Sequence, residues 1–301
     1  MQKSKFGNNG IKSSRMPIYC MLAPFSVVFF LFTILPIITS VILSFTDFDL
    51  ISFPDFNGFG NYLRMLMDDA VFPITLKNTL LFAIITGPVG FLLSFVLAWF
   101  INEFSPFVRT LLSFMFYAPA LVGNGYYIWQ IAFSSDSYGY INSLLLSMHL
   151  INEPITWLKD AAYVLPICMI VQIWQSMGVS FLANISGLQN ISQEQYEAAA
   201  VDGIRSRWQE LWYITLPSMK NMLLFSAVMA IQSSFSVSQL CIELAGYPSV
   251  SYSADTMVSL MNDVGTVRYE MGYASSIAVF LFVLMVLSRQ LVNKLISITG
   301  K

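Results

Sequence analysis

The sequence predicts an all-α integral membrane protein with six transmembrane helices. Composition is the first reason: of 301 residues, 56% are hydrophobic and 11% charged, where soluble domains average about 25% charged. Spacing is the second, because the charged residues leave long uncharged stretches between them. The third is a sign asymmetry between alternate connecting segments. A soluble globule could not hide so much apolar surface, and a disordered chain would not carry it. A nucleic-acid binder is excluded as well, since the formal net charge is −2 and Lys and Arg never cluster densely.

A membrane helix needs about 20 apolar residues. The uncharged stretch between Arg15 and Asp47 places span one near 18–44. Lys3, Lys5, Lys12 and Arg15 precede it as they would a signal peptide, but no small-residue cleavage site closes the run, so it reads as a retained helix. Lys77 to Glu103 gives span two (78–101), and Arg109 to Asp136 gives span three (110–132). Asp160 to Glu194 gives span four (163–186), and Lys220 to Glu243 span five (219–241). Span six (272–294) must run past Arg289, whose long side chain can snorkel, and Lys294 marks its exit. The domain reading is thus a cytoplasmic N-terminal segment, 1–17, and a six-span domain, 18–301.

Orientation follows from the Lys/Arg bias. With the N-terminus inside, the inside segments hold 11 Lys+Arg and 5 Asp+Glu. The outside loops (46–77, 133–160 and 243–270) then hold 4 Lys+Arg and 12 Asp+Glu. Both termini are therefore expected in the cytoplasm.

No Asp, Glu, Lys or Arg falls in the middle of a span. That argues against a proton relay and against a self-sufficient ion-coupled carrier. It leaves no catalytic set for an intramembrane enzyme, so the chain has no expected catalytic residue. Cys20, Cys168 and Cys241 read as buried small hydrophobes and His149 as a loop residue, so no metal site is expected. The spans carry neutral polar groups instead. Gln172, Gln175 and Ser176 share one face of span four, and Gln232, Ser233, Ser234 and Ser236 lie within about one turn of span five. Two roles fit them equally: hydrogen bonds between spans, or the lining of a path for a neutral polyhydroxy solute. Trp129 and Trp174 read as packing or interfacial residues, and Tyr126 and Tyr127 as an outer aromatic belt. Asp47, Asp49, Asp68 and Asp69 read as a solvated acidic surface.

The inside loop 187–218 is the most informative segment. Ser192 and Gln195 form a capping-box pattern, good helix formers follow, and Gly203 stands where a left-handed cap is wanted. A short helix is expected over 193–202. Tyr196, Ala199, Ala200 and Gly203 form a nearly side-chain-free stripe along it, which would let another surface come close. Ile204, Trp208, Leu211 and Trp212 mark a second short helix at the base of the bundle. Ile214 to Pro217 then opens span five, where a proline is tolerated in the first turn.

Glu197-Ala-Ala, Gly203 and Ile214-x-Leu216-Pro217 resemble the EAA loop of ABC importer permeases, with one residue more between the Gly and the Ile than that pattern usually has. Nearly the whole chain is similar to the carbohydrate-uptake branch, in particular its maltose-type (MalF-like) subunit. Ser44 to Asp49, Phe59 to Tyr62 and Asn78 to Phe82 match its motifs in order. Tyr138 to Asn142, Ile155 to Leu158 and Gly272 to Ser275 continue the match. After span five, where the family often has a Gly-rich run closed by Pro, this chain reads Ala245-Gly-Tyr-Pro248.

The resemblance implies a type I ABC importer permease in a prokaryotic cell membrane, working with a second related permease, two ATPase subunits and an extracellular substrate-binding protein. ATP and Mg²⁺ would bind the ATPase, and this chain would carry no cofactor; it has no GxxxxGK[ST] phosphate loop. In the coupling helix, Glu197 would contact the ATPase, Ala198 and Ala199 would pack in its cleft, and Gly203 would make the turn, with Tyr196 and Asp202 in the same unit. Spans four and five would line a sugar path through Gln172, Gln175, Ser176, Gln232, Ser233, Ser234 and Ser236. A permease for a phosphorylated polyol is the alternative, and the absence of basic residues from the spans counts against it.

Overall fold

The computed structural model describes residues 15–122 and 125–299. The basic residues at 3, 5 and 12, which carry part of the orientation argument, lie outside them. The regular structure of the described residues is helical, apart from an isolated bridge between Thr46 and Phe56. Four helices are long and apolar enough to cross a membrane: Tyr19–Leu43, Phe72–Asn102, Val164–Gln189 and Met271–Lys294. Two bent pairs raise the number to six if each is one span.

Helix α1 (15–43) contains a π turn at Phe30–Ile34 and packs on the last helix. None of its most apolar stretch is buried within the chain. Cys20 is exposed here, contrary to its reading as a buried hydrophobe, because the helix turns its side chains away from the bundle. A short helix, α2 (60–68), crosses the following loop. Helix α3 (Phe72–Asn102) starts earlier than expected, so Lys77 and Asn78 sit inside its first turns.

The expected third span does not run straight. Helix α4 (Pro106–Leu121) and helix α5 (Tyr126–Ala132) meet at 84°. Pro119 removes a helical N–H near the end of α4, and Val122-Gly-Asn-Gly125 follows it in sequence. Tyr126 is buried in the core instead of joining an exposed belt, while Tyr127 is exposed. A short helix, α6 (Tyr140–Ser147), lies in the next loop, and α7 (Val164–Gln189) is the fourth span.

Helix α8 (Gln193–Val201) is where the sequence placed it. Its predicted Ser192 cap bond is not made: Gln195 Oε1 accepts from Ser218 Oγ instead, at 3.1 Å. Gly203 does close the helix, at φ +98°. Its N–H donates to Ala200 O (3.3 Å) and that of Ile204 to Ala199 O (3.0 Å), the paired bonds of a Schellman cap.

Helix α9 (Arg207–Ser218) holds a π turn at Leu211–Thr215 and bends by 81° into α10 (Lys220–Phe235). Ile214 to Pro217 therefore belongs to the base helix and not to span five. The expected fifth span also ends early, at Phe235. Ser234 Oγ donates to Ala230 O (2.9 Å) and Ser236 Oγ to Gln232 O (2.7 Å). Such back-bonding serines compete with the helical ladder, and the chain leaves the helix through Val237 and Ser238 before α11 (Gln239–Ala245). Helix α12 (Met257–Asn262) and the last helix, α13 (Met271–Thr299), complete the order.

The centre of the bundle is α3, α7 and α10, with α4 against α7 and α13 against α10. Polar pairs stitch the central three. Thr86 donates to Ser234 Oγ at 2.9 Å, Asn184 to Ser94 Oγ at 3.2 Å, and Ser180 and Ser226 exchange hydroxyl-to-carbonyl bonds at 3.2 and 3.3 Å. Each is worth about 1 kcal/mol between helices in lipid.

Candidate functional site

Two places in the bundle gather the residues singled out by the sequence. The first is the break between α10 and α11. A cavity of about 220 Å³ opens there, and its lining includes Gln172, Gln175 and Ser176 of α7 with Ser233 and Ser236 of α10. Gln172 donates to Ser233 Oγ at 3.0 Å, so this pair both joins the helices and faces the opening. Two expected members fall elsewhere. Ser234 is buried and bonded to Thr86, so its role is joining helices, and Gln232 is exposed outside the lining.

Sequence reasoning missed Ser238 and counted Gln239 among the polar groups of the spans without placing it in the path; both line the cavity. Ser238 Oγ is buried and has no hydrogen-bond partner, which leaves a hydroxyl for a guest molecule. The readable signal was the alternation Ser234-Phe-Ser-Val-Ser238, which suits an interrupted helix better than a continuous span. Next to the cavity's elements, Trp129 and Trp174 meet edge to face with ring centres 5.6 Å apart, and Trp129 Nε1 is likewise buried without a partner. Gln239 donates to Glu243 Oε1 at 2.6 Å, and Gln130 Nε2 donates to Glu243 O. No lining residue of the cavity is charged. A hollow edged by amides and hydroxyls can accept and donate hydrogen bonds to a neutral polar solute at no cost in counter-charge. Among the described residues, no group of His, Cys, Asp and Glu could hold a metal ion.

The second place is α8 with its Gly203 turn. Glu197, Ala198, Val201 and Asp202 are exposed, Val201 at 89%. The small-residue stripe is only partly free, because Ala199 is buried within the chain and Tyr196 OH lies 3.0 Å from Thr215 Oγ1 of α9. The free face is the one through Glu197, Ala198 and Val201. Trp208 of the base helix packs on Trp99 of α3 at 5.5 Å. Arg207 bridges Glu103 at 2.6 Å and Glu210 at 2.9 Å, and these acids hold its guanidinium above its ordinary value. Close packing of α7 against the bend is possible because Gly187 has no side chain; a Cβ there would lie 2.8 Å from Met219 Cε.

No family model matches the chain, but curated proteins do. It is 31% identical over 215 residues to the lactose transport system permease protein LacF of Rhizobium radiobacter, covering 70% of each chain. It is 29% identical over 292 residues to the probable ABC transporter permease protein YesP of Bacillus subtilis, covering 95% of this chain and 90% of that one. The arabinooligosaccharides transport system permease protein AraP of Bacillus subtilis is 27% identical over 275 residues. Among solved structures, a chain of a bacterial ABC transporter that imports the acidic polysaccharide alginate superposes with a TM-score of 0.74 at 23% identity, over 96% of this chain and 98% of that one. A second structure of the alginate transporter, in complex with a periplasmic protein that holds an alginate pentasaccharide, gives 0.77. The fold is that of a type I importer permease, and the chain is a multi-pass transport subunit that belongs to the carbohydrate-uptake family of ABC transporter permeases.

Proposed function

We propose that this chain forms half of the pore of an ATP-driven, binding-protein-dependent importer of a neutral sugar or oligosaccharide. The observation that carries the substrate class is the uncharged amide-and-hydroxyl cavity at the α10–α11 break, with Ser238 Oγ unpartnered in it. Gln172, Gln175, Ser176, Ser233, Ser236, Ser238 and Gln239 would bond sugar hydroxyls as the solute passes. Two relatives are named for neutral sugars, lactose and arabinooligosaccharides, while the transporter that shares the fold imports the acidic polysaccharide alginate, so the neutral class rests on the cavity.

In this reading α8 seats in a cleft of a separate ATPase, with Glu197, Ala198 and Val201 against it and Gly203 and Asp202 at the turn. Tyr196 and Ala199 hold the chain's own base helix. A second, related permease completes the pore, two ATPases drive it, and a binding protein delivers the sugar to the face that carries loops 44–71, 133–163 and 246–270. The Lys/Arg bias supports that face lying outside and both termini, with segment 1–17, lying in the cytoplasm.

The test is a membrane pull-down of the tagged chain, with and without Glu197→Lys plus Gly203→Asp. The wild-type chain should recover an ATPase and a second permease, and the variant should lose the ATPase while keeping the permease. Purification alone, with transport after reconstitution in the absence of any ATPase, would overturn the reading.

A further inference from the structure

Hydrogen bonds and ion pairs tie α8 to α9, and α9 to α3. Thr215 Oγ1 donates to the backbone carbonyl of Glu210 at 3.3 Å, a span of five residues that the π turn makes possible. Tyr196 OH and Thr215 Oγ1 lie 3.0 Å apart, in a hydrogen bond that either hydroxyl can donate. Separately, Arg207 donates to the Glu210 carboxylate and to that of Glu103, the residue that caps α3. A second tie runs from Ser218 Oγ to Gln195 Oε1. At the other end of α9, Met219 is 1% exposed and wedged beside Gly187 of α7, where the chain turns by 81° into α10.

Helix α8 therefore touches the rest of the chain through α9, and α9 touches α3, α7 and α10. We infer that Thr215, set by the π turn against the Tyr196 hydroxyl, is the positioning residue through which displacement of α8 reaches the α9–α10 bend. The base helix acts as a lever that pivots at Met219 against Gly187. Thr215 is 2% exposed, so water does not compete for its bonds. This inference rests on the coupling role proposed for α8.

The test uses the complete transporter purified through this chain, trapped with ATP, Mg²⁺ and vanadate, and reads amide hydrogen exchange in 193–204 and in 216–224. In the wild type, trapping should change exchange in both segments. In Thr215→Val, ATPase recovery should stay at the wild-type level, and in both Thr215→Val and Tyr196→Phe 193–204 should still respond. The response of 216–224 should then fall by about three- to tenfold, the worth of one or two hydrogen bonds. Thr215→Ser, which keeps the hydroxyl, should restore it. The double variant should be no worse than Thr215→Val alone, since both remove one interaction.

A full response of 216–224 in Thr215→Val and Tyr196→Phe would overturn the inference. So would loss of the ATPase from Thr215→Val, which would make the contact a docking element. A wild-type chain that recovers no ATPase would overturn the coupling reading itself, a result distinct from either.

Discussion

At the long-loop end of the bundle, buried asparagines hold the backbone of neighbouring segments. Asn61 Nδ2 donates to Ser44 O (3.0 Å) and Thr46 O (2.7 Å), and Asn78 Nδ2 to Tyr252 O and Asp255 O, both at 2.9 Å. Asn142, wholly buried, takes part in five bonds, to Ser134, Asp136, Ile155 and the Trp157 indole. Arg64 pairs with Glu270, and Tyr273 OH donates to Asp69. At the other end, α8 has Glu197, Ala198 and Val201 exposed, and its ties to the chain run through α9. One end ties most of its buried polar groups to its own backbone, whereas the other leaves a face open. A surface that must stay rigid is best served by the first arrangement, and a surface that must receive another protein by the second.

The largest effect should come from Asn142→Ala. It strands buried donors and acceptors in loop 133–163, at a cost of about 3–5 kcal/mol. Thermal unfolding in detergent and limited proteolysis of that loop would measure it. Recovery of the ATPase should hardly change at a temperature where the variant is folded.

Gly203→Ala should cost less, about 1–2 kcal/mol, because an L-residue is strained at φ +98°. Its effect should appear at the opposite end, as weaker ATPase recovery with an unchanged melting temperature for the loop end. Equal damage at both ends from either variant would contradict the division.

Asp255 tests the closed end by pH. Burial, reinforced by Asp263, holds its carboxyl above the ordinary carboxylate range, and Oδ2 has no partner. A raised folded-state value means that stability is greatest at low pH and falls as pH climbs through that value. Asp255→Asn should flatten this slope, which sets in above the ordinary carboxylate value and ends above the raised one, in melting experiments run across pH. The smallest effect should be that of Arg207→Ala on stability, about 0.5 kcal/mol or less, since its pairs with Glu103 and Glu210 are largely exposed.

The sequence made α1, α3, α7 and α13 legible because their uncharged stretches have no competing signal. It also made α8 legible, through Glu197-Ala-Ala and the Gly203 cap. The bends of α4–α5 and α9–α10 were hidden, since hydropathy counts apolar residues and is blind to direction. Pro119 and the serines at 234, 236 and 238 were visible, but their effect depends on which carbonyls lie within reach. Half of the candidate site was legible in the same way. Gln172, Gln175 and Ser176 share a face by helical spacing alone, whereas Ser238 joins them only because α10 breaks. The motifs at Ser44, Phe59 and Gly272 looked unrelated along the chain. In the fold, Asn61 reaches Ser44, and Gly272 N–H donates to Phe48 O at 2.9 Å.

Hydrogen exchange compared between the chain alone and the chain bound to its ATPase, with the binding protein absent, would decide whether the two ends differ as described. The account predicts that segment 193–204 gains protection on binding while 136–157 exchanges equally slowly in both samples. Protection gained at 136–157, or none at 193–204, would contradict it.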